Sequence, residues 1–352
     1  MRSDGRERPE EEKRGPGPSG TGAHRRPKVS VCIPAYNNVT QVRQLLDSIA
    51  AQTMQDMEII LTDDSTNGEI EALVEKIRRR NNGEAVSGSE PGNVPDSESD
   101  NVPGSVPFAP CMKRLRYVRN EKPLGPIFNW NKALSLAEGE YIKIMFSDDW
   151  FTREDSLERL TELLQENPDA SLAFCGTMQV SKTGAYARAA GEDYIKRLRQ
   201  DYRSLFLGNE IGAPSATLYR ACGAAFDEKS NWASDMFLYF EILTGNPSFA
   251  FTPEPLISIG VHEEQYTESF TQRDIRKFND RLLLYEKYGL REQEDCRKEM
   301  LRLTVMYGQG FRTASACGAS FGEYLKQRAA WFWENTVLGY WNGLLHKLGV
   351  GS

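Results

Sequence analysis

Four times in the first half of this 352-residue chain, a short apolar run is followed by a stretch with helical spacing. In "KVSVCIPAY", Val29, Val31 and Ile33 alternate as in a strand, and Val42, Leu45, Leu46 and Ile49 then follow at i, i+3, i+4, i+7. "MEIILTDD" precedes a helical face of Ile70, Leu73, Val74 and Ile77, and "LRYV" precedes a helix over 126–137. "YIKIMF" precedes Leu157, Leu160, Leu163 and Leu164. Strands alternating with helices of this length predict an α/β fold, with a mostly parallel central sheet and helices on both faces. In such sheets, ligands bind beyond the carboxyl ends of the strands, where strand order reverses.

Three of the predicted strands end in chemically distinctive residues: Pro34-Ala35-Tyr36-Asn37, Thr62-Asp63-Asp64 and Ser147-Asp148-Asp149. A parallel sheet gathers these ends along one edge and makes an acidic crevice with an aromatic wall. Carboxylates repel a phosphate ester, so an anionic ligand there requires an intervening divalent cation. A tyrosine face suits a nucleobase, and a carboxylate accepts from a base N–H. A nucleoside diphosphate held through a metal fits that combination. For any single Asp pair, a turn or helix cap is the simpler reading.

The formal charge of −7 argues against a dedicated nucleic-acid binder. The excess of acid lies in the first 270 residues, because Thr271–Ser352 has 13 Lys and Arg against 9 Asp and Glu. Six scattered cysteines without a C-x-x-C, and three histidines, do not form a zinc cluster and imply reduced thiols. No apolar run reaches the roughly 18 residues that span a bilayer, and the N-terminus lacks a signal-peptide core, so a cytoplasmic location is expected. Residues 1–27 read as a disordered tail, and the Ser-, Gly- and Pro-rich stretch 81–113 as a disordered insertion in a domain spanning 28–270. Residues 271–352 read as a C-terminal helical extension.

"VSVCIPAYNN", "EIILTDDST", "AEGEYIKIMFSDDW" and "WASDMFLYFEIL" resemble the successive motifs of family 2 glycosyltransferases with the GT-A fold, from about Lys28 to Tyr266. The resemblance implies a nucleotide-diphospho-sugar transferase fold, with Pro34, Tyr36 and Asp64 against the base and ribose. It also implies Mg²⁺ or Mn²⁺ on the strand-end acids. The first acid of the usual D-x-D triplet is Ser147 here, so Asp149 is expected to be the direct ligand and Asp148 to face the ribose or order the turn. Asp235 occupies the position of the base that deprotonates the acceptor hydroxyl, with Ser234 in place of the usual neighbouring acid. His262 matches a histidine that follows the last strand and offers a neutral imidazole to the metal. Asn120, with Asn129 and Asn131 nearby, is expected to face the donor. Glu241, Glu263 and Glu264 read as structural or solvated charge, and Arg78-Arg79-Arg80 as a solvated helix end.

The expected activity is transfer of a sugar from a nucleotide-diphosphate donor, a UDP- or dTDP-sugar, to a hydroxyl of a sugar, lipid-linked or protein acceptor. Inversion by direct displacement needs one carboxylate base and a metal on the leaving group. Two other readings remain open at this point: a nucleotide-sugar-binding module with a dead site, and a sugar nucleotidyltransferase. The second normally needs a Gly-rich phosphate loop that "PAYNN" lacks. Trp331, Phe332, Trp333, Leu338, Trp341, Leu344, Leu345 and Leu348 form an aromatic-rich C-terminal stripe. Packing on the chain's own domain is one reading of that stripe; peripheral membrane contact or a homodimer is the other.

Overall fold

In the computed structural model, which describes residues 25–82, 109–262, 265 and 269–338, all four strand-and-helix repeats are present. The first half runs β1 (Val29–Ala35), α1 (Val39–Ala50), β2 (Met57–Asp63), α2 (Glu69–Asn81), β3 (Leu115–Arg119), α3 (Pro126–Ser135) and β4 (Tyr141–Ile144). It continues through β5 (Asp149–Phe151), α4 (Ser156–Glu166), β6 (Leu172–Ser181), β7 (Gly184–Arg188), α5 (Glu192–Gln200), β8 (Thr217–Arg220), α6 (Ser234–Gly245) and β9 (Phe249–Gly260). Four α-helices of the described residues follow: α7 (Ile275–Lys287), α8 (Glu294–Met306), α9 (Phe311–Ala316) and α10 (Phe321–Phe332).

These strands form one sheet in the order β3-β2-β1-β4-β8-β6-β9-β5, with β7 on β6. The β3-β2-β1-β4 half is parallel, and β8 runs against both β4 and β6. Strand order reverses at β1, where β2 lies on one side and β4 on the other, and that reversal opens the crevice. β1 is buried along its whole length, as a central strand covered on both faces must be. One core joins the sheet to α1, α2 and α4 through Leu45, Leu46, Leu73 and Leu160. The other joins it to α3, α5, α6, α7 and α8 through Ala133, Leu198, Phe237, Leu284 and Met300. Residues of the expected C-terminal extension therefore share a core with residues of the central fold.

Two elements differ from their sequence reading. "YIKIMF" stops being a strand at Ile144: Met145 N–H still bonds Cys32 O, but the chain then turns and re-enters the sheet as β5, antiparallel to β9. In α6, Met236, Phe237, Leu238, Tyr239, Phe240, Ile242 and Leu243 are all buried. The 81–113 segment has packed edges. Asn81 ends α2, while a 3-10 turn at Pro110–Arg114 buries Cys111 and Met112 in the first core.

Residues 83–108 and 1–24 lie outside those described. Of the aromatic stripe, Trp331 packs against the small cluster of Leu301, Val305 and Tyr324, whereas Phe332 and Trp333 are exposed. Trp341, Leu344, Leu345 and Leu348 lie outside the described residues. All six cysteines are free, and five are buried. No helix of the described residues is long and apolar enough to cross a membrane.

Candidate active site

At the mouth of the crevice, the turn after β1 is tied to the turn after β2. Asn37 takes a left-handed backbone (φ 52°), where Asn is one of the few tolerated non-glycine residues. Its N–H donates to Ser65 Oγ at 2.8 Å, and its Oδ1 accepts from Thr66 N–H at 2.9 Å. That turn leaves the neighbouring Tyr36 ring 55% exposed at the rim. Pro34 is different: it is buried within the strand, so its ring belongs to the sheet rather than to the crevice surface.

Asp64, tied to β1 by its N–H to Ala35 O, is only 4% exposed. Its Oδ1 accepts from Asn120 Nδ2 (2.8 Å) and Leu124 N–H (2.7 Å), and its Oδ2 accepts from Gly125 N–H (2.9 Å). The carboxylate thus anchors the β3–α3 loop and keeps one oxygen with a single partner. Asn120, expected to face the donor, is 7% exposed; its amide donates to Asp64 and to Asn129 Oδ1 and accepts from Lys132 Nζ, so it props up Asp64. Asn129 in turn donates to Ala35 O and Thr62 O, and Asn131 is spent on the Phe226 backbone.

The adjacent acids separate sharply. Asp149, in β5, is 3% exposed, and its carboxyl lies among the Ser215 hydroxyl, the Gly260 N–H and the Lys143 ammonium. Burial raises that carboxyl well above the ordinary range; the Asp148 charge adds to this, while Ser215, Gly260 and Lys143 oppose it. Lys143 is fully buried on β4, donates to Ser215 O and Thr217 O, and is pushed down to about 8 by desolvation. Asp148 sits in the turn before β5, and its Oδ2 lies 3.2 Å from His262 Nε2, with both side chains about a fifth exposed (21% and 23%). Asp149, expected to be the direct ligand, thus points into the interior, and Asp148 is the acid beside His262.

Gln41 of α1 lies 3.3 Å from the same imidazole nitrogen. Gly260 completes the turn, because its N–H donates to Asp148 O and a Cβ there would stand 2.5 Å from that oxygen. Glu263 and Glu264 lie outside the described residues.

Asp235 opens α6. Its Oδ1 accepts from Met236 N–H at 2.7 Å and its Oδ2 from Asn209 Nδ2 at 2.6 Å. Burial pushes the carboxyl up to about 6 against those two hydrogen bonds, with the Asp280 charge adding to the rise. The segment from Asn209 to Thr217 links the two acidic centres: Asn209 holds Asp235, and Ser215 Oγ accepts from Phe146 N–H at 3.1 Å in the turn that carries Asp148. Glu241, further along α6, accepts from Tyr288 OH at 3.0 Å and is structural. A cleft of about 560 Å³ between α5 and β9, bordered by Ile195, Arg199 and Phe251, contains none of these residues.

Sequence reasoning missed Lys143, Gln41, Asn209, Ser215 and Gly260. A lysine in the middle of an apolar strand was the one visible signal; the others are ordinary residues until the chain folds.

Among the described residues there is no group of three or more His, Cys, Asp or Glu able to hold a metal ion. Asp148 and His262 supply one oxygen and one imidazole. This donor set suits a divalent cation that takes its remaining ligands from substrate phosphates and water.

A family model described as "Glycosyl transferase family 2" matches residues 30–86 and 105–223. The putative glycosyltransferase EpsH of Bacillus subtilis (strain 168) is 24% identical over 285 residues, which cover 78% of this chain and 72% of that protein. The chain spans less of other curated relatives, 54% of one and 44% of another. S. aureus TarS 1–349, solved in complex with UDP-GlcNAc, superposes with a TM-score of 0.53 at 15% identity, over 86% of this chain and 91% of that one. The mannosyltransferase PcManGT of Pyrobaculum calidifontis, solved with GDP-Man and Mn²⁺, gives 0.50 at 18% identity, over 93% and 86%. At such identities the two structures speak for the fold.

Proposed function

The chain belongs to glycosyl transferase family 2 and has a GT-A type fold, and on that premise we propose an inverting, metal-assisted transfer of a sugar from a nucleoside diphosphate to an acceptor hydroxyl. The observation that carries this reading is the meeting of Asp148 and His262, 114 residues apart in sequence, at 3.2 Å beside the strand-order reversal. The donor is a UDP- or dTDP-sugar, with Tyr36 stacking on the base and the free lone pair of Asp64 turned to the base or ribose. A Mg²⁺ or Mn²⁺ held by Asp148 and His262 together with diphosphate oxygens supplies charge neutralisation to the leaving group.

Asp235 takes the proton of the acceptor hydroxyl as the new C–O bond forms and the anomeric carbon–phosphate oxygen bond breaks. A carboxyl raised to about 6 suits that role: it is ionised at neutral pH yet more basic than a solvated aspartate. Asn209 holds it in place through Oδ2. The acceptor is a hydroxyl on a sugar, lipid-linked or protein substrate, and the location proposed is cytoplasmic. Homodimerisation or peripheral membrane contact is assigned to the C-terminal helices, where Phe321, Leu325, Phe332 and Trp333 are exposed.

A thermal-shift panel of UDP-, dTDP- and GDP-sugars with and without Mn²⁺ tests the proposal. Stabilisation that needs Mn²⁺ in the wild type and vanishes in Asp148→Ala is expected. Equal, metal-independent stabilisation in both proteins would sink the metal site. A wild type that binds a donor with Mn²⁺ yet shows no transfer or donor hydrolysis with any tested acceptor would favour an inactive nucleotide-sugar-binding module.

A further inference from the structure

We propose that Asp280, on α7, is a positioning residue for Asp235: it fixes the loop Asn231–Ala233 from which α6 starts, so that the C-terminal helices complete the site. This rests on the reading of Asp235 as the base. Asp280 is 1% exposed. Its Oδ2 accepts three successive backbone N–H groups, from Asn231 (2.9 Å), Trp232 (2.6 Å) and Ala233 (2.9 Å), and its Oδ1 accepts from Asn231 Nδ2 (3.2 Å). One carboxylate thus holds every N–H of the tripeptide that leads into α6.

The helix has no cap of its own, because Ala233 at the N-cap carries no hydrogen-bonding side chain. Asp235 stands two residues beyond the anchored tripeptide. Two further contacts from α7 reinforce the anchor: Lys277 lies 4.8 Å over the Trp232 ring, and Lys287 pairs with Asp227 at 3.0 Å. The family-model match ends at residue 223, before both α6 and α7.

Asp280 also acts through charge. From α7 its charge raises the Asp235 carboxyl, the Asp235 charge in turn raises the phenols of Tyr194 (α5) and Tyr239 (α6), and the neutral amide of Asn209 donates to the same carboxyl. Removing the Asp280 charge lowers the pH at which Asp235 ionises, because a like charge no longer opposes ionisation.

The test is a pH titration of aspartate carboxyl carbons by ¹³C NMR in the full chain, with Asp235→Asn identifying the Asp235 signal. In Asp280→Asn the Asp235 midpoint should fall below about 6. A folded Asp280→Asn with an unmoved midpoint overturns the proposal. Hydrogen exchange on the wild type keeps the proposal testable where that variant does not fold. The Asn231, Trp232 and Ala233 amides should exchange as slowly as core-strand amides, and exchange at surface-loop rates overturns the anchor. The two readings fail separately: turnover retained in Asp235→Asn removes the base, whereas an unmoved Asp235 midpoint removes Asp280.

Discussion

Asp148 and Asp149 are neighbours in the chain, and one residue of strand pleat sends them to opposite environments. Asp149 is buried against the Ser215 hydroxyl and the Gly260 N–H, so Asp149→Ala should strip the carboxyl from both groups. A buried polar group that loses its partner costs about 1–3 kcal/mol, and a loss of that order is expected. Urea unfolding checks this, and an unchanged midpoint would refute it. Asp148→Ala should melt like wild type and lose only the Mn²⁺-dependent part of nucleotide binding. Asp235→Asn should bind donor normally by calorimetry and lose about 10²–10⁴-fold in transfer. In the wild type, kcat should fall about tenfold per pH unit below about 6, as the base is protonated. Stability moves the other way. The folded carboxyl binds its proton more tightly than the unfolded one, from 3.8 to about 6, so this group favours the fold increasingly as pH drops through 6. Relative to Asp235→Asn, the wild type should gain on the order of 1 kcal/mol between pH 6 and pH 5.

Elements set these residues by close approach. β9 meets the Asp148 turn at Gly260, where a Cβ would come within 2.5 Å of a backbone oxygen that cannot step aside cheaply. Gly260→Ala should push the turn away from His262 and weaken Mn²⁺-dependent nucleotide binding at least tenfold, a shift worth about 1.4 kcal/mol. Binding of wild-type strength, measured by titration calorimetry, would show that the turn tolerates the displacement. The 81–113 segment also belongs to this scale. Asn81 Nδ2 reaches Met112 O at 3.1 Å, so the two flanks already touch, and the family match skips residues 87–104. Replacing 87–104 with a short Gly-Ser linker should preserve cooperative melting, because loop-closure entropy changes slowly with length. Loss of cooperative folding would show that those residues pack.

At the scale of the whole molecule, the C-terminal helices are not an appendage. α7 and α8 bury Phe278, Leu284, Tyr285 and Met300 against the same core as Phe237 and Tyr239 of α6. Ending the chain at residue 270 strips that cover and orphans the three N–H groups held by Asp280. Each buried unsatisfied group costs about 1–3 kcal/mol before lost apolar burial is added. The truncated chain should therefore fail to melt cooperatively by differential scanning calorimetry. A stable, nucleotide-binding fragment of 25–270 would contradict the shared core.

The fold was legible in the sequence because its signals are local. Period-2 and period-3.6 apolar patterns at 29–33, 42–49, 57–63 and 70–77 report burial directly, and the strand-end residues Tyr36, Asp64 and Asp148 follow from where those patterns stop. Asp235 was found through its family motif, and α6 carries it in its first turn. The sequence did not show which of Asp148 and Asp149 is buried, because the direction of a side chain at a strand end depends on where the next strand begins, and β5 is set by its pairing with β9. Asn120 was read as facing the donor because its amide looks free until Asp64, Asn129 and Lys132 converge on it. Asp280 left no trace in any motif, since 47 residues separate it from the nearest N–H it holds. Local periodicity determined which elements form; contacts between residues far apart in the chain decided which acids are buried, which are paired and which helix anchors the loop before Asp235.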